Sequence, residues 1–91
     1  MLYMLCRNRV RDFATWKAVL SSHAQAHRAA GLRLAKLWRS MEDQNNVFFL
    51  FEVESIERAR HFINNPASAE AGIASGVVEG EYHFVEDAGS Y

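Results

Sequence analysis

Cysteine is nearly absent from this 91-residue chain, and the single Cys6 excludes both an internal disulfide framework and a Cys-rich zinc site. Proline occurs once, at Pro66, and no Pro-, Gly- or Ser-rich linker or repeat divides the sequence, so one domain over residues 1–91 is expected. No apolar run approaches the ~20 residues of a membrane span. In residues 1–12 the charges follow the apolar stretch, the reverse of a secretory signal. A cytoplasmic protein without a membrane partner is the expectation. Acidic residues are almost missing from residues 1–41, where Asp12 stands alone against eight lysines and arginines. Residues 42–91 reverse the balance, with Arg58 and Arg60 against ten acids. Such a split can mark a nucleic-acid arm or an acidic tail.

What is present is the composition of a globular protein, 49 % hydrophobic and 12 % aromatic, which argues against disorder. A chain this short buries only about 64 % of its extended surface, so self-association would support a marginal core.

Local patterns divide the chain into four strands and three helices. Residues 2–8 are short and apolar and predict a strand. Asp12 fits an N-cap, and Phe13, Trp16, Leu20, Ala24 and His27 recur at helical spacing. With Val19 and His23 on the flank, they predict one amphipathic helix over residues 12–30. Gly31 stands where a C-terminal cap glycine belongs. Residues 32–41 alternate, which places Leu32, Leu34, Lys36 and Trp38 on one face and Arg33, Ala35, Leu37 and Arg39 on the other. The polar run Glu42-Asp43-Gln44-Asn45-Asn46 predicts a hairpin turn, and residues 47–54 the most apolar strand. Ser55 caps a second helix with Ile56, Ala59, Phe62 and Ile63 inward. Asn65-Pro66 ends it and starts a short third helix that closes near Ser75-Gly76. Residues 80–86 predict the last strand.

The order β-α-β-β-α-β is the ferredoxin-like arrangement, an α+β fold with a four-stranded antiparallel sheet. Val47-Phe48-Phe49-Leu50-Phe51 is apolar on both faces, whereas the helices can cover one. A second copy of the chain is the expected cover, giving a homodimer with sheets packed face to face. In the expected sheet order the fourth strand flanks the first, and the third separates the first from the second. Glu81 and Glu86 then lie beside Arg7 and Arg9. Glu52 and Glu54 lie beside Arg33, Lys36 and Arg39. The charge split thus reads as a pairing device between neighbouring strands.

Several motifs resemble the dimeric α/β-barrel superfamily, in its antibiotic-biosynthesis-monooxygenase-like group. They are Arg11-Asp12-Phe13-x-x-Trp16-Lys17, His23 with Ala30-Gly31, Trp38-Arg39-Ser40, Glu42-Asp43-x-Asn45 leading into Phe51-Glu52, Ala59-Arg60-x-Phe62, the Asn65-Pro66 break and Gly76-Val77-Val78. The resemblance spans nearly the whole chain and implies a dimeric barrel with a cavity between sheet and helices. It also implies a range of activities: cofactor-free oxygenation of aromatic polyketides, haem degradation, isomerisation or decarboxylation. Haem-degrading members carry an Asn on the first strand, which Asn8 matches, and a Trp and a ligating His in the second helical region. Here that region offers Phe62, residues 66–78 hold no histidine, and His61 is a poor substitute. Haem degradation is therefore not expected.

The candidate chemistry is limited. His23 and His27 are four apart on the first helix, a spacing that can present two imidazoles to one metal. A stable zinc site needs a third ligand, and the sequence supplies none beside them, so no metal is expected. Either histidine can serve as a base in the cavity, or simply as a polar group bonded at the helix–sheet seam. Trp16, Trp38, Phe62 and Tyr82, with Phe13, could pack a planar substrate or be core alone. Arg39 and Glu52 fall on the two arms of the hairpin and could orient a substrate anion or pair with each other. Cys6 in an apolar strand reads as an inert thiol. No Gly-rich phosphate loop is present, and the Arg7, Arg9, Arg11 cluster lacks the context of a nucleic-acid reader.

Two functions follow from different classes. The first, by resemblance, is a cofactor-independent monooxygenase acting on an apolar aromatic or polyketide-like molecule, with His23 or His27 as base and Trp16, Trp38, Arg39, Phe62 and Tyr82 holding substrate. The second is a non-catalytic small-molecule-binding or interaction module of the same fold.

Overall fold

The structure, a computed structural model, describes residues 1–90. Its order is β1 (Leu2–Val10), α1 (Phe13–Ser22), α2 (Ala24–Ala29), β2 (Leu32–Arg39), β3 (Asn46–Val53), α3 (Ile56–Asn64), α4 (Pro66–Ala74) and β4 (Val77–Glu86). The four strands form one antiparallel sheet in the order β2-β3-β1-β4. This is the α+β ferredoxin-like arrangement with each crossover helix divided in two.

The helix starts follow from local chemistry. The Asp12 carboxylate accepts from the Thr15 backbone N–H at 2.9 Å and the Thr15 hydroxyl at 2.7 Å, satisfying a donor that the first turn leaves free. Ser55 caps α3 through the Arg58 N–H, and Asn65 caps α4 through the Ala67 N–H, with Pro66 at the first helical position. Gly31 and Gly76 follow α2 and α4 at φ 75° and 79°, the left-handed conformation that a side chain would strain.

The first helix is not continuous over residues 12–30. It breaks at His23, whose φ and ψ of −100° and 11° leave the helical region. The Ser22 hydroxyl donates to the Val19 carbonyl at 2.7 Å, and the His23 ring contacts the same oxygen at 2.8 Å. Side chains therefore occupy the carbonyl that His23 N–H would have reached in an unbroken helix, and that N–H turns to Leu20 instead.

Alternation along β1 and β3 puts Met4, Cys6, Val10, Val47, Phe49, Phe51 and Val53 under the helices, where they form the core with Trp16, Leu32 and Ala59. In β2 the alternation changes phase. Leu34 pairs with Phe51 and Lys36 with Leu50, so Ala35 is an extra residue in a bulge. Leu32 and Leu34 face the helices, as do Leu37 and Arg39 beyond the bulge. Lys36 and Trp38, expected on the face of Leu32 and Leu34, instead lie on the opposite, open face. A second bulge at Val78 carries β4 back to Val77, three residues before the predicted strand start.

Charges join the strands largely in the expected order. Arg7 on β1 pairs with Glu79 and Glu81 on β4, the latter at 2.6 Å. Arg33 on β2 pairs with Glu52 on β3. Arg9 reaches Asp43 in the hairpin turn at 2.8 Å. The expected Arg39–Glu52 pair does not form. Glu52 stands opposite Arg33 and Arg39 opposite Val47, so the two side chains lie at different levels of the ladder and on different faces. Arg39 instead donates to the Gln44 carbonyl and side chain at 3.1 and 3.2 Å, with its guanidinium 4.0 Å over the Phe13 ring.

Candidate functional site

A cavity of about 330 Å³ lies between the helix-covered face of the sheet and helices α1 to α4. Its floor is Met4, Cys6 and Asn8 of β1, Phe49 and Phe51 of β3, and Gly80 and Tyr82 of β4. Trp16, Val19, Leu20, His23 and His27 form one wall. Phe62 and Ile63 of α3 and a run of small residues on α4 form the other. The small residues keep α4 from filling the space: Ala67, Ala71 and Ser75 recur at i, i+4 and i+8, with Ser68 and Gly72 beside them. A volume of this size, apolar walls and a few converging polar groups describe a small-molecule pocket.

The aromatic lining is continuous. Trp16 packs on Phe49 at 5.3 Å between ring centroids, and Phe49 on Phe51 at 5.8 Å. His27 sits against Phe51 at 5.1 Å and Phe62 at 5.4 Å. Such tilted and edge-on pairs suit the ring quadrupoles and leave faces free for a planar guest.

The polar groups are few and mostly engaged. The Asn8 amide fits one orientation, accepting from Trp16 Nε1 at 3.2 Å and donating to the Arg7 carbonyl at 2.9 Å. Burial pushes the Cys6 thiol up to about 12, so it stays protonated and inert at neutral pH. The Ser68 hydroxyl donates to the Phe62 carbonyl, and the Ser75 hydroxyl to the Gly72 carbonyl at 3.0 Å. Burial, and then the neighbouring His23, hold His27 below the usual imidazole range and so favour its neutral form. Glu81 borders the cavity, but its carboxylate bonds His83 and Arg7 on the open side, which together hold it below the usual carboxylate range. Among the described residues no lysine or arginine lines the cavity, and no group of three metal-ligating side chains exists anywhere.

Five residues singled out from the sequence therefore meet here: Trp16, His23, His27, Phe62 and Tyr82. Four do not. The bulge at Ala35 puts Trp38 on the open face, and Arg39 is taken up by Phe13 and Gln44 outside the cavity. Phe13 packs on Trp16 without lining the cavity, and Glu52 pairs with Arg33 on the open face. Sequence reasoning gave no cavity role to the Trp16-bonded Asn8 or to the α4 wall. The signal for the wall was present in the spacing of Ala67, Ala71 and Ser75.

No protein-family model and no curated protein matches the chain. Solved structures do. A candidate antibiotic biosynthesis monooxygenase from Bordetella bronchiseptica is similar at a TM-score of 0.78 and 16 % identity, over 96 % of each chain. SnoaB, a cofactor-independent oxygenase from Streptomyces nogalater, is similar at a TM-score of 0.75 and 14 % identity, over 98 % of this chain and 94 % of its own. An uncharacterised NIPSNAP domain protein from Burkholderia xenovorans is similar at 0.67 and 14 %, over 97 % and 95 %. At these identities the likeness concerns architecture, and it extends to proteins whose descriptions assign no chemistry. The chain has the ferredoxin-like fold shared by antibiotic-biosynthesis-monooxygenase-like proteins.

Proposed function

We propose that this protein is a small cofactor-independent oxygenase whose helix–sheet cavity takes an apolar aromatic, polyketide-like molecule. The observation that carries the proposal is the cavity itself: aromatic rings line it, two imidazoles enter it, and no side chain of its floor or walls fills it. The fold shared with a cofactor-independent oxygenase supports it. In such a reaction the substrate gives up a proton and its own electrons reduce oxygen. This chain's residues would bind the ring system, exclude water and accept the proton. Trp16, Phe62 and Tyr82 would pack the substrate, and one of His23 and His27 would be the base.

The working unit is proposed to be a homodimer joined through the open sheet face. Leu5, Trp38 and Val85 are exposed there, at 38, 47 and 39 %, and Phe48 and Leu50 are half-buried beside them. An apolar patch over the centre of a sheet, rimmed by Arg7, Arg33, Glu52 and Glu79, suits a self-complementary contact.

Oxygen uptake with anthrone-like and hydroquinone substrates tests the activity. The expected result is turnover by the protein without added metal or flavin, lost when both histidines are replaced. Binding of these compounds without oxygen uptake would favour a non-catalytic binding module on the same cavity.

A further inference from the structure

The structure holds the two cavity imidazoles in different ways. His23 stands at the break between α1 and α2. Its Nδ1 lies 2.8 Å from the Val19 carbonyl oxygen and 3.1 Å from Ser22 Oγ. The Ser22 hydroxyl proton is already directed to Val19 at 2.7 Å. A carbonyl oxygen can only accept, so the hydrogen in the short ring contact belongs to Nδ1. In the neutral ring Nε2 is then a bare lone pair. His27 has a different setting. Phe51 and Phe62 flank its ring, and no hydrogen bond among the described residues fixes its tautomer. Its burial disfavours a charge.

The other titratable groups around the cavity leave His23 without a competitor. From β1, Cys6 remains a thiol. From β4, Glu81 is bound by Arg7 and His83, and Tyr82 is itself a phenol. From α2, His27 resists protonation. From α3 and α4, Phe62, Ile63, Ala67, Ser68, Ala71, Gly72 and Ser75 bring no ionisable group.

Resting on the cavity as the substrate site, we propose that His23 is its only proton acceptor, acting through Nε2, and that the ligand is a neutral weak acid of the phenol or enol type. The ligand O–H bond breaks and an N–H bond forms at Nε2. The electron pair stays on the ligand oxygen, leaving a phenolate or enolate beside an imidazolium. Net charge is unchanged and the step needs no oxidant. Among the described residues the cavity has no lysine or arginine to stabilise the anion, so the new imidazolium is its cationic partner there. A carboxylic acid enters already ionised at neutral pH, has no proton for Nε2 to take and meets no fixed cation. His27 serves as an uncharged wall.

A chromogenic phenol tests this without any oxygenation. 4-Nitrophenol is titrated by absorbance in the presence of excess protein, with binding followed separately by equilibrium dialysis. The expected result is a bound phenol that ionises about one pH unit lower than the free one, a tenfold change in its ionisation constant. His23→Gln should abolish the shift while the probe still binds. His27→Phe should keep the shift, whatever its effect on affinity. A shift that survives His23→Gln, or that is lost only in His27→Phe, overturns the assignment, as does binding with no shift. Failure of 4-nitrophenol to bind overturns the aromatic-ligand cavity itself, and this assignment with it. Nitrogen NMR of the unsubstituted protein gives a check that needs no variant to fold. His23 should show a protonated Nδ1 and a pyridine-type Nε2, and the opposite tautomer refutes the proposal.

Discussion

Gly80 lies directly across the β1–β4 ladder from Asn8, and a Cβ added at Gly80 would come within 2.8 Å of the end of the Asn8 amide. The two residues share one volume of the cavity floor. The absent side chain at Gly80 lets Asn8 fold over β4 and accept from Trp16 Nε1. Gly80→Ala is therefore expected to displace the amide at a modest cost in stability, because what must give way is the end of a flexible side chain. The Trp16 indole N–H resonance should move as its hydrogen bond is lost. An unchanged resonance together with an unchanged melting temperature would contradict this coupling.

Asp12 holds the first turn of α1 by two bonds to Thr15. Asp12→Ala is expected to lower the midpoint of chemical denaturation, as the loss of an N-cap does. The hydroxyl and backbone N–H of Thr15 hold the Asp12 carboxyl below its ordinary value of 3.8. A folded-state pKa below the unfolded one gives stability that is present above the unfolded value and lost as pH falls through the folded one. The variant should accordingly show a shallower loss of stability in acid than the parent. Identical acid limbs would count against the cap.

His27 has the opposite chemistry and the same sign. Its neutral form is favoured in the folded state, so below the ordinary imidazole value of 6.5 the unfolded chain binds more protons. Stability should fall as pH drops from about 6.5 towards the lower folded value and then level off as far as this group is concerned. His27→Phe fills a similar volume between Phe51 and Phe62 and should remove that part of the pH dependence. Denaturation midpoints at several pH values for both proteins would reveal it, and parallel curves would exclude it.

The open sheet face predicts an assembly state. Sedimentation at micromolar concentration should give about twice the chain mass of 10.4 kDa. Leu50→Glu places a charge at the centre of that face without touching the cavity floor. It should yield a monomer of 10.4 kDa with the parent's circular dichroism. A parent that sediments as a monomer would remove the dimer from consideration.

Much of the architecture could be read from the residues because the signals were local. Asp12, Ser55 and Asn65-Pro66 mark helix starts by their own side-chain chemistry, and Gly31 marks an end. The strand order follows from topology, and the placement of Arg7 by Glu81 and Arg33 by Glu52 follows from that order. The break at His23 was harder to see because a continuous apolar stripe runs across it. Its sign was Ser22, whose hydroxyl takes the Val19 carbonyl from the helix ladder. The bulge at Ala35 had no sign at all. Alanine fits either face, and strict alternation carried Trp38 to the wrong side and suggested a partner for Arg39 that lies beyond its reach. The cavity could be anticipated from its rings and imidazoles, but its volume depends on the small side chains of α4. An absence of bulk is less visible in a sequence than an aromatic residue.

The bulge at Ala35 has a further consequence for how this chain can change. In a strand, orientation is a matter of parity, and the bulge shifts that parity by one, so Lys36 and Trp38 face outward although their numbers share the parity of Leu32 and Leu34. Removing Ala35 alone would leave a regular strand in which Lys36 and Trp38 still face outward and Leu37 and Arg39 inward, opposite the same residues of β3. The chain can therefore lose one residue at this point without exchanging the buried and open faces of β2. A deletion between Lys36 and Arg39 has no bulge to absorb it and would reverse the positions that follow.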